Sequence, residues 1–312
     1  MGAVMITWWT LDALQKTDIR STRPPQAQAE IRLYAARNET EDAQVVVRTP
    51  PGVEIDRAAV DCSPLRGPGR CRIPRRNIRT HWVWYTHVTA NPKGNTDPDT
   101  FLRRAPAFFP DAFLEDDAIR IRDDWAQPLW VSVATTARTR PGTYRGQLEI
   151  SLTTRDGACT QLHVPVTLHV WPFALPAQPG LHHTEWFWPL DLAAYYHLTP
   201  WSDAHWDWIR RVAADMAAHR QDMILTPFFD LVGVRQTAGG RLAFDFDRLD
   251  TWLDIFHEAG VTWVEGGHLA RREGGWESAI RWLRFAVDDG RGAPVDTSRE
   301  AMDDDAFEPY MK

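Results

Sequence analysis

The sequence predicts a β + α/β fold, in which an N-terminal antiparallel β-sandwich is followed by the first part of a (β/α)8 TIM-type barrel. Three observations support this prediction: strand-like alternation before residue 171, a Pro-rich break after it, and helical periods that alternate with short apolar runs from residue 181 onward. We therefore expect a sandwich domain over 1–171, a linker over 172–180 and a partial barrel domain of about three strands over 181–312.

The clearest strands of the predicted sandwich lie just before the break. Residues 161–170, QLHVPVTLHV, place apolar and polar side chains in strict alternation, and residues 146–152, GQLEISL, alternate as well. An Asp-Gly pair at 156–157 is typical of the turn that joins two such strands. Because Pro165 has no N–H to donate to a ladder, we expect its strand to be at the edge of a sheet.

The earlier part of the first domain gives further strand signals. Residues 29–50 predict two strands joined by a polar turn, and residues 79–88, RTHWVWYTHV, predict another. Several short strands separated by Pro and Gly favour a sandwich. Residues 89–128 are rich in Pro and Asp, so we expect a long excursion there.

The period of the sequence changes after residues 171–180, WPFALPAQPG, which contain three Pro and one Gly and mark the domain boundary. Residues 202–219 predict a helix that begins at Ser202 as its N-cap, and residues 247–259 predict a helix that ends at Gly260. The apolar positions that support these two helices are Trp206, Ile209, Val212, Ala213 and Met216 in the first, and Leu249, Trp252, Leu253 and Phe256 in the second.

Three short runs, 181–188, 222–230 and 261–268, predict strands that alternate with these helices, and Trp276, Ile280 and Leu283 give a weaker helical pattern. The order βαβαβ implies a parallel sheet with right-handed crossovers, and the spacing of the strands fits a barrel with decorated loops. A doubly wound sheet is the alternative. Because a complete barrel needs roughly 250 residues, we expect the sequence to stop within its second domain.

Charge and cysteine content exclude several classes of function. The formal net charge is −7 and no basic cluster is prominent, so we expect no nucleic-acid partner. The three Cys form no CxxC pair, which argues against both a zinc site and a disulfide framework. No apolar run is long enough for a membrane span, and the N-terminus lacks the basic region of a signal peptide. We therefore expect a soluble protein without a membrane partner, cytoplasmic rather than secreted.

The composition has one unusual feature, 16 Trp residues. The flat apolar face and the N–H of Trp suit stacking on sugar rings, so this excess is typical of carbohydrate-binding proteins. The alternative is that Trp side chains fill large cores, and we expect more than half of them to be core residues.

The chain also resembles a known family. Five segments support the resemblance, in order along the chain, and the most specific are PLWV…PGTYRG in the first domain and EGGHLARR in the second. They are residues 36–47, 127–150, 181–196, 200–231 and 264–272. In these segments the chain is similar to glycoside hydrolase family 123 and to its relatives with domain of unknown function 4091.

The resemblance implies a sandwich followed by a (β/α)8 barrel and an exo-acting β-N-acetylgalactosaminidase. In that mechanism the sugar's own 2-acetamido oxygen attacks the anomeric carbon, while an adjacent Asp-Glu pair orients the acetamido group and protonates the leaving oxygen. The family places this pair after the fourth barrel strand in a DEP-like motif. Residues 307–309 here read FEP, with Phe in place of the Asp. We therefore assign no catalytic residue, expect the pair beyond residue 312, and expect the chain by itself to be inactive.

Barrel active sites form at the carboxyl ends of the strands, and six side chains are predicted there as substrate-binding candidates. His268, which follows Gly266 and Gly267, is expected to donate a hydrogen bond to a sugar hydroxyl. Each candidate also has a structural explanation: the Trp residues can pack on helices, the Asp can cap a helix, and Glu265 can pair with Arg271 or Arg272. The six candidates are Glu185, Trp186, Trp188, Asp230, Glu265 and His268.

We expect no metal and no cofactor. A site made from His182, His183 and His268 is disfavoured because adjacent residues of a strand point to opposite faces. A serine hydrolase is disfavoured because no GxSxG motif is present. The expected ligand is an amino-sugar glycoside. The alternative function is a non-catalytic carbohydrate-binding or structural module that forms homo-oligomers through the exposed edges of a half-barrel.

Overall fold

The structure is a computed structural model that describes residues 6–91, 103–239, 241–268, 270–272, 280–282, 286–288 and 294–296. The chain divides into two compact units, Met1–Ala177 and Gln178–Lys312. Within the described ranges, no helix combines the length and the apolar character needed to cross a membrane.

The first unit consists of strands packed as two sheets. One sheet has the order β1-β3-β10-β7-β8, and the other has the order β2-β12-β11-β4-β9, in which β5 also pairs with β11 and β6 pairs with β5. A 3₁₀ turn at Arg75–Asn77 precedes β7. The strands are β1 (Thr7–Asp12), β2 (Ile31–Arg37), β3 (Thr40–Arg48), β4 (Ile55–Cys62), β5 (Leu65–Arg66), β6 (Arg72–Ile73), β7 (Ile78–Val88), β8 (Ala107–Phe113), β9 (Ala118–Ile121), β10 (Ala126–Ala134), β11 (Gly142–Thr154) and β12 (Cys159–Ala174).

The core of the first unit is formed by alternate residues from both sheets. Val45 and Val131 of one sheet and Ile150 and Val164 of the other are fully buried in a single cluster. Burial alternates along residues 161–170 as the sequence predicts, because one face of β12 covers the core and the other faces solvent. The predicted sandwich is confirmed as a sandwich-like unit.

The two strands predicted within 29–50 are confirmed as β2 and β3, and the polar turn between them contains Asn38 with a left-handed φ of 61°. The two strands enter different sheets. One detail of the predicted sandwich is wrong. The strand of Pro165 is not at an edge, since β11 pairs with it antiparallel and β2 pairs with it parallel. Pro165 is tolerated there because the ladder with β2 begins one residue later, at Val166.

The long excursion predicted over 89–128 is also wrong in part. It contains β8 and β9, each of which is the outer strand of one sheet, together with the start of β10. Both outer strands are bound by ladder hydrogen bonds, β8 to β7 and β9 to β4. Residues 92–102 of this stretch lie outside the described residues.

In the part of the second unit that the structure describes there are four helices and several short strands. Strands β13 and β16 form a parallel pair, the strands β15-β14-β19-β20 form a mixed sheet, and β17 pairs with β18. The elements are α1 (Pro189–Tyr195), α2 (Asp203–Ala218), β13 (Met223–Thr226), α3 (Phe228–Leu231), β14 (Gly233–Gln236), β15 (Leu242–Asp245), α4 (Asp247–Ala259), β16 (Trp263–Gly266), β17 (Ala270–Arg272), β18 (Ile280–Trp282), β19 (Ala286–Asp288) and β20 (Pro294–Asp296).

Both predicted helices are confirmed with their caps. The Ser202 side chain accepts a hydrogen bond from the backbone N–H of His205 at the start of α2. Gly260 ends α4 with a left-handed φ of 100°, which a residue without Cβ adopts without strain. The apolar faces of the two helices meet in a cluster that includes Ile209, Trp252 and Phe256. Ile224 of β13 belongs to the same cluster.

The strand predictions for the second unit are confirmed only in part. Residues 261–268 contain β16, but residues 222–230 divide into β13 and α3 at Pro227. Residues 181–188 are not a strand, because the backbone oxygen of His183 accepts hydrogen bonds from the N–H groups of Asp222 and Met223 instead of joining a ladder. Ile280 lies in β18 rather than in a helix, while Trp276 and Leu283 lie outside the described residues.

Candidate functional site

The candidate site lies at the carboxyl ends of β13 and β16. These strands run parallel with Thr226 opposite Gly266, so the residues that follow them emerge at the same edge. A cavity of about 580 Å³ opens there, and three predicted residues line it: Trp188, Asp230 and His268. The structure therefore brings together candidates from three separate segments of the sequence.

One wall of this cavity is apolar. Leu225 and Pro227 come from the end of β13 and the turn after it, and Phe228 follows at the start of α3. Leu190 of α1 completes this wall. A cavity with an apolar wall and a few polar groups is typical of small-molecule sites. Sequence reasoning missed these apolar residues, because nothing in their pattern separates a cavity wall from a core.

Asp230 and His268 are the ionisable candidates of the cavity. Burial raises the pKa of the Asp230 carboxyl above its ordinary value. The backbone N–H of Asp230 donates to the carbonyl of Pro227 at 3.0 Å, which fixes the residue at the first turn after β13. His268 is exposed at the mouth of the cavity. Both side chains therefore add polar atoms to a cavity whose other lining residues are mainly apolar.

A second contact network adjoins His268. The indole Nε1 of Trp186 donates to a carboxylate oxygen of Glu265 at 3.0 Å. The ring of Trp186 meets the ring of His268 edge-on, with centroids 5.0 Å apart and an angle of 79° between the planes. Glu265 therefore orients Trp186, and Trp186 packs against His268. The side chains of Arg271 and Arg272 lie outside the described residues, so the alternative ion pair of Glu265 stays a prediction.

Gly267 allows the segment after β16 to approach β13 closely. A Cβ added at this residue would lie 2.5 Å from the backbone oxygen of Thr226, whereas one at Gly266 would first meet Phe228 at an ordinary 3.7 Å. The requirement for Gly is therefore specific to residue 267. Its close neighbour is the end of β13, and this contact positions the residue that follows, His268, at the cavity that Asp230 also lines.

Glu185 does not join the other candidates. Its side chain is exposed and contacts Nε2 of His183 at 3.2 Å, and its backbone oxygen accepts from the amide of Gln221. It is not among the residues that line the cavity. Phe187, two positions further on, stacks on buried Trp252 at 5.6 Å. In this segment Trp188 lines the cavity and Trp186 contacts His268, whereas Glu185 and Phe187 face elsewhere.

The two adjacent His residues of this segment contact carboxylates. Nδ1 of His182 lies 2.8 Å from one oxygen of Asp222, and the backbone N–H of His183 donates to the other at 2.8 Å. Burial alone would raise the pKa of Asp222, but the hydrogen bonds from His182 and His183 outweigh it and hold the pKa below its ordinary value. Sequence reasoning missed this pair. Among the described residues, no group of three or more His, Cys, Asp or Glu is placed to hold a metal ion.

The Trp side chains differ in exposure. Where the structure describes their burial, four Trp are buried, and Trp8, Trp125 and Trp201 are partly buried and pack against the core clusters. Trp186 and Trp188 are 50% and 47% exposed at the candidate site. Their ring faces are therefore accessible to a ligand.

Comparison with known families gives the class of protein to which these features belong. The family model "Glycoside hydrolase 123 N-terminal domain" matches residues 15–152, and the model "Glycoside hydrolase 123, catalytic domain" matches residues 186–291. The two units of the chain thus correspond, in order, to the domains of a glycoside hydrolase. The chain belongs to glycoside hydrolase family 123.

A solved structure has a similar fold. A family 123 glycoside hydrolase from Clostridium perfringens, described in a study of glycolipid glycan hydrolysis, matches with a TM-score of 0.73 at 12% identity. The match covers 98% of this chain and 55% of that chain, so the sequence spans about half the length of that enzyme. No curated protein matches the sequence.

Two weaker structural matches cover about half of the chain. A PapD-like domain of human CEP192 has a TM-score of 0.28 at 8% identity, with coverage of 51% of this chain and 96% of that chain. A protein of unknown function from Porphyromonas gingivalis W83 has a TM-score of 0.29 at 15% identity, with coverage of 48% and 50%.

Proposed function

We propose that this chain supplies the substrate-binding part of a glycoside hydrolase that acts on β-linked N-acetylhexosaminides of the N-acetylgalactosamine type. The observation that carries the proposal is the cavity at the carboxyl ends of β13 and β16, where Trp188, Asp230 and His268 converge. The cavity lies within the residues that the catalytic-domain model matches.

The chemistry of the cavity fits a sugar ring. One face of a pyranose carries C–H groups that pack on an indole, and its hydroxyls need partners that donate and accept hydrogen bonds. Trp188 offers the apolar face, a carboxylate at Asp230 accepts, and the ring of His268 offers a donor or an acceptor. The apolar wall from Leu225 to Phe228 is suited to the methyl group of an acetamido substituent.

The reaction we propose is substrate-assisted hydrolysis with retention. The 2-acetamido oxygen attacks the anomeric carbon while an acid protonates the leaving oxygen, and water then opens the oxazoline. No described residue is assigned to the acid or to the group that orients the acetamide. The proposal for this chain is therefore binding, and hydrolysis belongs to a protein in which the chain is accompanied by an Asp-Glu pair.

We also propose that the second unit, with its boundary near 172–180, forms part of a (β/α)8 barrel. Two observations support this arrangement. β13 and β16 pair in parallel, and along the sequence α2 precedes β13 while α4 lies between β13 and β16. The segment 181–188 would then lie where the first barrel strand belongs, although its hydrogen bonds are not those of a ladder.

A non-catalytic carbohydrate-binding or structural module is the second candidate. Trp263 and Val264 of β16 are 52% and 48% exposed, and such apolar side chains on a short parallel strand favour association between copies. Sedimentation velocity tests this candidate: a dimer that Val264→Lys dissociates supports it, and a monomer at all concentrations contradicts it.

The binding proposal is tested by titration of N-acetylgalactosamine into the 312-residue chain, followed by NMR. We expect His268→Ala to weaken binding roughly tenfold, since one good hydrogen bond to a ligand is worth about that factor. His257→Ala is the matched control, because His257 is exposed on α4 of the same unit and does not line the cavity. Equal affinities for the two variants would contradict the proposal.

A further inference from the structure

The first unit contains a larger cavity, of about 770 Å³, which the proposed function does not use. It opens where β8 and β9 are the outer strands of the two sheets, and its lining comes from both of them and from β4, β7 and β10. Its volume is within the range of small-molecule sites, roughly 300–1,000 Å³. The cavity lies wholly among residues that the structure describes.

Aromatic side chains form its apolar surface. Trp84 is 55% exposed and Phe108 is 36% exposed, so both rings present a face to solvent. Trp125 is half-buried in the same lining, with the ring of Phe108 6.2 Å away and the ring of Tyr85 edge-on at 5.5 Å. These contacts fix Trp125 and Phe108 in place. Large exposed rings beside a cavity are typical of binding surfaces rather than of ordinary protein surface.

The charges around the cavity cancel. Three guanidinium groups and three carboxylates line it, so its formal net charge is zero. The guanidinium of Arg122 lies 5.5 Å from the ring centre of Trp125, and Nε of Arg120 is 4.0 Å from an oxygen of Asp56. The charged residues are Arg120, Arg122, Arg155, Glu54, Asp56 and Asp116.

A balanced set of donors and acceptors around aromatic faces selects for one kind of ligand. A nucleic acid or a sulfated polymer would need an excess of positive charge, and a polycation would need an excess of negative charge. A neutral sugar satisfies both halves of the lining, because each hydroxyl donates one hydrogen bond and accepts others. Its C–H face covers the exposed rings.

We propose that this cavity is a second carbohydrate-binding site, which holds a neutral sugar ring against Trp84 and Phe108. The site is in the first unit and shares no residue with the cavity of His268. It therefore binds glycan independently of the proposed hydrolysis, and its failure would leave the first cavity unaffected.

The test uses the 312-residue chain with His268→Ala, so that the first cavity contributes little signal. Lactose and N-acetyllactosamine are the neutral probes, and binding is followed by saturation-transfer NMR. We expect both sugars to bind, and we expect an added Trp84→Ala to weaken their binding roughly tenfold or more, as for aromatic anchors of other binding sites. Trp171→Ala is the matched control, since Trp171 is 42% exposed in the same unit and lies outside the cavity.

Three results would overturn the proposal. They are the absence of binding by either sugar, binding that survives Trp84→Ala unchanged, and tighter binding of the anionic 6′-sialyllactose than of lactose. Thermal unfolding checks that each variant is folded. If Trp84→Ala unfolds the first unit, Phe108→Leu gives the same comparison, because it keeps an apolar side chain but removes the flat ring. If the saturation-transfer signal of the wild type is not reduced by His268→Ala, this result would count only against sugar binding in the cavity of His268.

Discussion

Replacing Gly267 by Ala tests whether the close approach of the chain at the end of β16 positions the site. The added Cβ would lie 2.5 Å from the Thr226 oxygen and 3.4 Å from the Pro227 Cα, and both neighbours are backbone atoms that cannot move aside cheaply. Inserting one methyl group into such a contact costs about 1–3 kcal/mol. For a unit of this size we expect a fall of about 3–10 °C in its unfolding midpoint.

The neighbouring residue provides the control. A Cβ at Gly266 would meet Phe228 at 3.7 Å, an ordinary contact, so Gly266→Ala makes the same chemical change without the clash. Differential scanning calorimetry gives the midpoint of each variant, and N-acetylgalactosamine titration gives its affinity. We expect Gly267→Ala to lose both stability and affinity, because the shift of the backbone moves His268. Equal effects of the two substitutions would refute this reasoning.

Three further predictions concern single side chains. Asp230→Asn should raise the midpoint of the second unit at pH 7, because burial penalises the charged form, and should weaken sugar binding in the same titration; a loss of stability would contradict this. The pKa of Asp222 is lower in the folded protein than its ordinary value. The ionised Asp222 should therefore stabilise the fold fully at pH values above the ordinary pKa, and this stabilisation should be lost as the pH falls through the lowered pKa. Asp222→Asn should therefore flatten the acid limb of a stability–pH profile, and an unchanged limb would contradict the account. Ser202→Ala should cost about 1 kcal/mol in urea unfolding by removing the N-cap of α2, and no change would contradict that role.

The helices and the sandwich were predictable because local patterns determine them. Ser202 and Gly260 mark helix ends by their own backbone chemistry, and the alternation over 161–170 reflects a strand with one buried face. Local patterns do not determine which strands pair with one another. Nothing local to Pro165 shows that β2 pairs with the same strand from Val166 onward, since that pairing joins residues more than 130 positions apart.

The sequence predicted where the candidate site lies but not how its side chains contact each other. Asp230 and His268 were predicted because they follow strands, and these residues line the same cavity. The exclusion of Glu185 and the hydrogen bond from Trp186 to Glu265 depend on how residues 182–188 turn around Asp222. That segment has an apolar pattern suited to a strand, yet its backbone hydrogen bonds go to the residues that begin β13.

The central claim is that the cavity at the ends of β13 and β16 binds an amino sugar through Trp188. Calorimetric titration of N-acetylgalactosamine into the wild-type chain, Trp188→Ala and Trp263→Ala tests it directly, since the two Trp are 47% and 52% exposed in the same unit and Trp263 lies outside the cavity. We predict binding by the wild type and by Trp263→Ala, with a loss of roughly tenfold or more for Trp188→Ala. The absence of binding by the wild type, or equal binding by all three proteins, would contradict the account.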